Sequence, residues 1–193
     1  MSFDYPVFLT LKKKKCVVIG GGKVATRKVS ALLKSEADVT VIAPRLTTTL
    51  QAWQAKKKIR CFQRPFRPSD LEGAWLVITA TNDPLLNETV SSQAQRRRQW
   101  INVVDQPSLC QLIFPSVIKK GDLTLAISTN GKSPALAKAI RQDLGKNFIP
   151  NYEESLKKIA EERPTVLKNV SSIEKRRQLL NHMAKELVGA GRD

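Results

Sequence analysis

Cys16-Val17-Val18-Ile19-Gly20-Gly21-Gly22-Lys23-Val24-Ala25-Thr26-Arg27-Lys28 joins an apolar β-branched run, a glycine turn and a helix start with no spacer between them. A strand that runs through glycines into a helix is the arrangement that grips a dinucleotide pyrophosphate. Gly20 permits the tight turn, and Gly22 lets the backbone approach the phosphates with no Cβ in the way. Ala25, in the third small-residue slot, lets the helix pack close on the strand. The helix opens at Lys23 and Val24, and its free N–H groups face the anion.

Outward from this run the chain alternates. Val24, Ala25, Val29, Leu32 and Leu33 recur at helical spacing within 23–34, and Ala37 to Ala43 is a second β-branched run. The same alternation predicts a helix over 50–57, a short strand over 59–62, a buried strand over 75–80, a helix over 87–98 and a strand over 100–104. The expected core is α/β, a Rossmann-like doubly wound parallel sheet covered by helices on both faces.

The pattern changes near Leu112. Two strand-like runs, 112–118 and 123–129, flank Lys119-Lys120-Gly121-Asp122 and read as a β-hairpin. Ser133-Pro134 then opens a helix over 135–144, with serine as cap and proline at the first helical position. A hairpin and one helix cannot hide both faces of two strands, so this extension is expected to find its burial in a homodimer. The tail from Asn151 reads as helical, with Pro164 dividing it into helices over 152–163 and 166–187. The expected divisions are 1–112 for the NAD(P)-binding domain, 113–148 for the dimerisation extension and 149–193 for a helical C-terminal domain.

Composition narrows the function classes. Three cysteines, Cys16, Cys61 and Cys110, sit singly in or beside apolar runs, which argues for core thiols in a reducing compartment, not for a disulfide framework or a zinc ribbon. No apolar leader and no run near 20 apolar residues is present, so a cytoplasmic protein away from membranes is expected. The formal net charge of +16 is spread over 12–15, 56–58, 96–98, 119–120 and 175–177. A regulator that senses NAD(P) and binds DNA is one reading of that charge. It lacks a helix-turn-helix ahead of the nucleotide domain, and nucleic acid is not the expected partner. The other reading is a field that draws a multiply anionic small molecule to a cleft beside the cofactor.

Several residues are candidates for that cleft. Thr79, Ala80, Thr81 and Asn82 follow the fourth core strand, where hydroxyl and amide groups reach ribose or nicotinamide, or merely cap the next helix. Asn102, within the last core strand, either satisfies backbone groups or faces a ligand. Asp105 stands at the carboxyl end of that strand, as general base or as a capping aspartate. The end of the second strand reads Ile42-Ala43-Pro44-Arg45 and lacks the acid that usually binds the adenosine ribose. Backbone groups at Ala43 and Pro44 replace it for NAD, whereas Arg45 would meet the 2′-phosphate of NADP. His182 stands alone on the tail helix, no cluster has metal-ligand spacing, and no protein-held metal site is expected.

Taken in order, GGGKVATRK (20–28), VTVIAP (39–44), ITATND (78–83), INVVDQP (101–107), IFPSVI (113–118) and ISTNGKSPALAKAIRQDL (127–144) resemble the precorrin-2 dehydrogenase family of siroheme biosynthesis. The resemblance runs from Asp4 to Leu144. It implies NAD-dependent oxidation of precorrin-2 to sirohydrochlorin, with some members also inserting iron. It also implies an anionic tetrapyrrole substrate, and a nucleotide domain, a dimerisation domain and a helical domain in succession. Asp105 matches the aspartate of the family's NVVD motif, implicated in catalysis. For the substrate's carboxylate arms the turn Asn130-Gly131-Lys132-Ser133 is the candidate, with Lys132 as its cation.

Overall fold

The structure is a computed structural model that describes residues 5–147 and 149–189. The Asp4 edge of the resemblance and the ends of the expected first and last domains, residues 1–4 and 190–193, lie outside the described residues. The chain divides into two units, 1–113 and 114–193.

The first unit is a five-stranded parallel sheet. Strands β1 (Lys15–Ile19), β2 (Asp38–Ile42), β3 (Arg60–Phe62), β4 (Leu76–Thr79) and β5 (Trp100–Val103) lie in the order β3-β2-β1-β4-β5. Helices α1 (Lys23–Lys34), α2 (Thr48–Ala55) and α3 (Pro84–Arg96) connect them. The chain leaves β1 in one direction through β2 and β3, then returns to the other side of β1 with β4. That reversal makes a topological switch point between β1 and β4, and their carboxyl ends open a crevice there.

Alternation along each strand builds two cores. Cys16 and Val18 of β1 join Val39, Val41, Leu76 and Ile78 against Ala25, Val29 and Leu32 of α1 and Leu50 of α2. Val17 and Ile19 join Val77, Ile101 and Val103 against Val90 and Ala94 of α3. Both faces are covered, so strands read as near-continuous apolar runs instead of alternating ones. Each fully buried Val, Leu or Ile side chain contributes about 1.5–3 kcal/mol.

The second unit holds a hairpin and three helices. Strand β6 (Ser116–Lys120) pairs antiparallel with β7 (Leu123–Ile127) across Gly121-Asp122, and Gly121 takes the left-handed φ of 53° that this tight turn requires. Helix α4 (Pro134–Asn147) follows, with the Leu136 N–H donating to Ser133 Oγ at 3.2 Å.

Pro164 does not divide the tail. Helix α5 (Ile149–Asn169) runs through it, and the break comes at 170–172, before α6 (Ile173–Gly189). Residues 160–165 are exposed, so water can serve the Ala160 carbonyl that the proline leaves without its donor. Ser172 makes the actual boundary, its Oγ accepting from the Lys175 N–H at 3.3 Å.

Candidate cofactor and catalytic site

The glycine loop is held by three backbone approaches. The Gly20 N–H donates to Ile42 O at 2.9 Å, the Ala80 N–H to Ile19 O at 2.8 Å and the Thr47 N–H to Gly21 O at 3.0 Å. Gly20 has φ 118°, and a Cβ on it would lie 2.4 Å from Ala80 O. Gly21 is sterically stricter, since its Cβ would lie 2.0 Å from Arg45 O. At Gly22 a Cβ would meet nothing within 4 Å. Gly20 and Gly21 therefore serve the crossing of the strand ends, and Gly22 leaves bare backbone toward the crevice.

Helix α1 starts at that bare backbone with no side-chain cap on its first N–H groups. Thr26 Oγ1 donates to Gly22 O at 3.0 Å and shares a 2.8 Å hydrogen bond with Thr47 Oγ1, which ties the turn to the start of α2. Uncapped N–H groups, a floor without Cβ and the positive end of a helix dipole together fit a diphosphate.

The crevice is a cleft of about 810 Å³. Gly20, Gly22, Lys23, Val24, Ala43, Pro44, Arg45, Ala80, Thr81 and Asn82 all line it, so ten of the eleven residues expected at the cofactor converge on one space. Pro65, Phe66 and Leu86 complete an apolar wall that the sequence did not single out. Arg45 is exposed at the rim, and Ala43 is buried. No carboxylate follows β2, as the sequence indicated.

Thr79 is the eleventh residue, and it lies under the cleft. Its buried Oγ1 donates to Asn87 Oδ1. The same Asn87 oxygen accepts from Thr81 Oγ1 at 2.9 Å, and Asn87 Nδ2 donates to Thr81 O at 3.3 Å. Asn87, on the first turn of α3, thereby fixes the 79–82 segment. Its only sequence signal is a polar residue on a helix face that otherwise carries Val90, Ser91 and Ala94 inward. Asp83 caps α3, accepting from the Leu86 N–H at 3.1 Å.

Asp105 lies two residues past the end of β5, exposed, with φ 60°. Thr79 is paired with Val103, so Asp105 and Thr81 stand two residues beyond the same rung of adjacent strands. The segment around Asp105 is pinned from below. Cys110 Sγ accepts from the Val103 N–H at 3.1 Å and approaches Val103 O at 3.1 Å. Asn102 is buried, with its Nδ2 donating to Leu112 O at 3.0 Å and its Oδ1 meeting no hydrogen-bond partner.

Burial raises the thiols. Cys16 is pushed up to about 11, by burial first and by Asp38 second, and burial also raises Cys61 and Cys110. A raised thiol holds less thiolate, the form that acts as nucleophile. The Lys28 ammonium on α1 moves the other way, lowered by burial and by Arg27, with Asp105 and Cys110 opposing that drop.

In the second unit half-buried Asn130 (φ 54°) and exposed Gly131 (φ 78°) form a left-handed turn. The Lys132 N–H donates to Thr129 O at 3.0 Å, and Thr129 Oγ1 both accepts from the Ser133 N–H and donates to Ser133 O. The Lys132 side chain is exposed. His182 is exposed and pairs with Glu186 at 3.2 Å. Among the described residues no group of three or more His, Cys, Asp or Glu is arranged to hold a metal, and no helix is long and apolar enough to cross a membrane.

Residues 7–116 match the family model described as "Putative NAD(P)-binding", and residues 120–147 match that of the sirohaem biosynthesis protein central segment. The siroheme synthase of Thioalkalivibrio sulfidiphilus is 41% identical over 194 residues, covering 98% of this chain and 40% of the relative. That of Methylobacillus flagellatus is 38% identical over 184 residues, 95% of this chain and 39% of the relative. The chain spans about two fifths of the length of these curated relatives. Among solved structures, SirC, a precorrin-2 dehydrogenase, superposes with a TM-score of 0.78 at 28% identity, covering 97% of this chain and 98% of that one. The chain belongs to the siroheme-biosynthesis family whose NAD(P)-binding domain is followed by the sirohaem central segment.

Proposed function

We propose, from that membership and from the cleft at the β1–β4 switch point, that the chain oxidises precorrin-2 to sirohydrochlorin with NAD. The observation that carries the reading is the convergence of the uncapped α1 terminus, bare Gly22 and the Ala80–Asn82 segment on one cleft, with a carboxylate at the end of the next strand. The likeness to a precorrin-2 dehydrogenase over nearly the whole chain supports it.

Each residue then has a task. Gly22, Lys23 and Val24 hold the diphosphate by backbone N–H groups. The backbone at Ala43 and Pro44 would hold the adenosine ribose, and Arg45 would meet a 2′-phosphate if NADP took the site. Thr81 and Asn82, fixed by Asn87, orient the nicotinamide half. The cofactor's own chemistry, once bound, is acceptance of a hydride. The substrate loses a hydride and a proton in the oxidation, and Asp105, exposed at the end of β5, receives the proton as general base. Lys132, in the Asn130–Ser133 turn, holds a carboxylate arm of the substrate, and the net charge of +16 concentrates the anionic tetrapyrrole. Residues 113–148 act as a dimerisation element. Its support is the exposure of Val117, Leu136 and Ile140. Three free cysteines suit the reducing cytoplasm as the place of work.

Anaerobic incubation with precorrin-2 and NAD, with NADP in parallel, tests the reading. Stoichiometric sirohydrochlorin and reduced cofactor are expected, faster with NAD, and folded protein that turns over with neither cofactor overturns it. Asp105→Asn is expected to lower turnover by about a hundred-fold or more while NAD affinity holds. Iron added after the oxidation then separates a dehydrogenase from a protein that also chelates.

A further inference from the structure

We propose that Thr81 reads the carboxamide of the nicotinamide by accepting its N–H, and that Asn87, from beneath the cleft, is the residue that makes Thr81 an acceptor there. The proposal rests on the cofactor reading above and adds a specificity determinant to it, the direction of one hydroxyl proton.

The direction follows from the partners. Asn87 Nδ2 donates to Thr81 O at 3.3 Å, and because a backbone carbonyl can only accept, the amide is oriented with Oδ1 turned to the threonine hydroxyls. That oxygen is an acceptor too. It lies 2.9 Å from Thr81 Oγ1 and is also bonded by Thr79 Oγ1, so both hydroxyls donate to it. The second acceptor within reach of the Thr81 proton is Asp83 O at 3.3 Å, again on the protein side. The Asp83 N–H, 3.2 Å from Thr81 Oγ1, takes one lone pair. The other lone pair is what Thr81 has left for a ligand.

Burial holds this polarity in place. Thr79 is 0% and Asn87 3% exposed. Turning the Thr81 proton into the cleft would set the lone pairs of Thr81 Oγ1 and Asn87 Oδ1 against each other at 2.9 Å, away from water that could relieve them. Thr81 itself is half-buried and lines the cleft, so the lone pair has a space to serve.

The place of Thr81 names the group it serves. Ala43 to Arg45 follow β2 on one side of the switch point, and Thr81 follows β4 on the other, so a dinucleotide lying across the crevice brings its nicotinamide half to Thr81. The carboxamide of that half carries an NH2 that only donates and a carbonyl that only accepts. An acceptor at Thr81 pairs with the first and repels the second, which fixes the sense in which the carboxamide enters. A site built to accept a hydrogen bond discriminates against an analogue without the donor, because the polar group is then left unpaired.

Acetylpyridine adenine dinucleotide, in which a methyl group replaces the carboxamide NH2, is the probe. Its affinity and that of NAD are compared by calorimetric titration without precorrin-2, so that binding alone is read. The wild-type chain is expected to favour NAD by about ten-fold. Thr81→Val keeps the branched shape and removes the hydroxyl, and the preference should fall to within about two-fold; Thr81→Ser should retain it. Asn87→Ala leaves Thr81 in place but frees its proton to turn, and the preference should fall there too. Equal affinities in the wild-type chain, as a ribose hydroxyl at Thr81 would give, overturn the proposal. So does a preference that survives Thr81→Val, or one that survives in folded Asn87→Ala. Should Asn87→Ala not fold, the two Thr81 variants still decide the contact. A chain that binds neither dinucleotide would sink the cofactor reading and this one with it. A chain that shows the preference and its loss in Thr81→Val, yet does not oxidise precorrin-2, would refute the assigned reaction and leave the Thr81 contact standing.

Discussion

The parallel sheet and the hairpin unit of this chain bury their apolar side chains by different means. Among the described residues, every buried apolar side chain except Ile118 and Ala137 belongs to the first unit, where both faces of the sheet are covered by helices of the same chain. The second unit leaves Val117 45% and Leu136 53% exposed, with Ile140 exposed one turn after Leu136 on α4. Chemistry follows the same division. The cleft residues sit at the carboxyl ends of a sheet whose two faces are buried within one chain, whereas the hairpin unit leaves apolar side chains exposed.

The largest test of this contrast lies in the glycine loop. Gly21→Ala places a Cβ 2.0 Å from Arg45 O, a backbone atom that cannot yield without displacing the segment that follows β2. A loss of about 3 kcal/mol is expected, read as a fall in Tm of roughly 10 °C or more. A Gly21→Ala chain with wild-type Tm would show the first unit to be far more deformable than its packing implies. Next in size is the proposed dimer element. Leu136→Glu, on the exposed side of α4, is expected to weaken self-association by about 2 kcal/mol, seen as a shift toward monomer in sedimentation velocity. NAD affinity should not move, since the cleft belongs to the other unit. A chain that stays equally associated would remove the Leu136 surface from the interface.

A smaller effect separates the two uses of glycine in one loop. Gly22 faces open space, so Gly22→Ala keeps the fold to within about 1 kcal/mol, the cost of alanine at a helix N-cap. It does fill room beside the diphosphate, and NAD affinity is expected to fall by about ten-fold in calorimetric titration. Unchanged affinity would mean that the diphosphate does not rest on Gly22.

Much of this was legible beforehand, because local chemistry carried it. The β-branched runs gave β1, β2 and β4 to within a residue or two, since strands buried on both faces must be apolar throughout. Ten cleft residues were readable from the glycine pattern and from strand ends, because chain order alone places carboxyl ends together in a parallel sheet. What stayed hidden depends on contacts between distant segments. Gly21 is required by Arg45, twenty-four positions away; Asn87 matters through Thr79 and Thr81; Cys110 through Val103. Pro164 misled for the opposite reason. Its rule is local, but whether a helix tolerates the ring depends on what surrounds it, and here that is solvent.

The smallest expected effect concerns how the cleft's apolar wall is kept in place. Pro65 and Phe66 lie in the segment bracketed by a bidentate pair, Arg64 Nη1 and Nη2 donating to Asp70 at 2.9 and 2.6 Å, while the Arg67 N–H donates to Asp70 at 2.8 Å. Burial alone would raise the Asp70 carboxyl, but the Arg64 guanidinium and the Arg67 N–H outweigh it and hold the group below its ordinary value. A carboxylate lowered in the folded state adds stability that is fully present above its unfolded value of about 4 and fades as pH falls through the folded one. Asp70→Asn is therefore expected to cost about 1 kcal/mol at pH 7, with the gap to wild type in denaturant midpoint closing below about pH 4. A gap that persists unchanged into acid would show that the wall is held by packing of Phe66 and Leu71, not by the charge on Asp70. The first unit's cleft would then rest on apolar burial alone, and its contrast with the second unit would be sharper still.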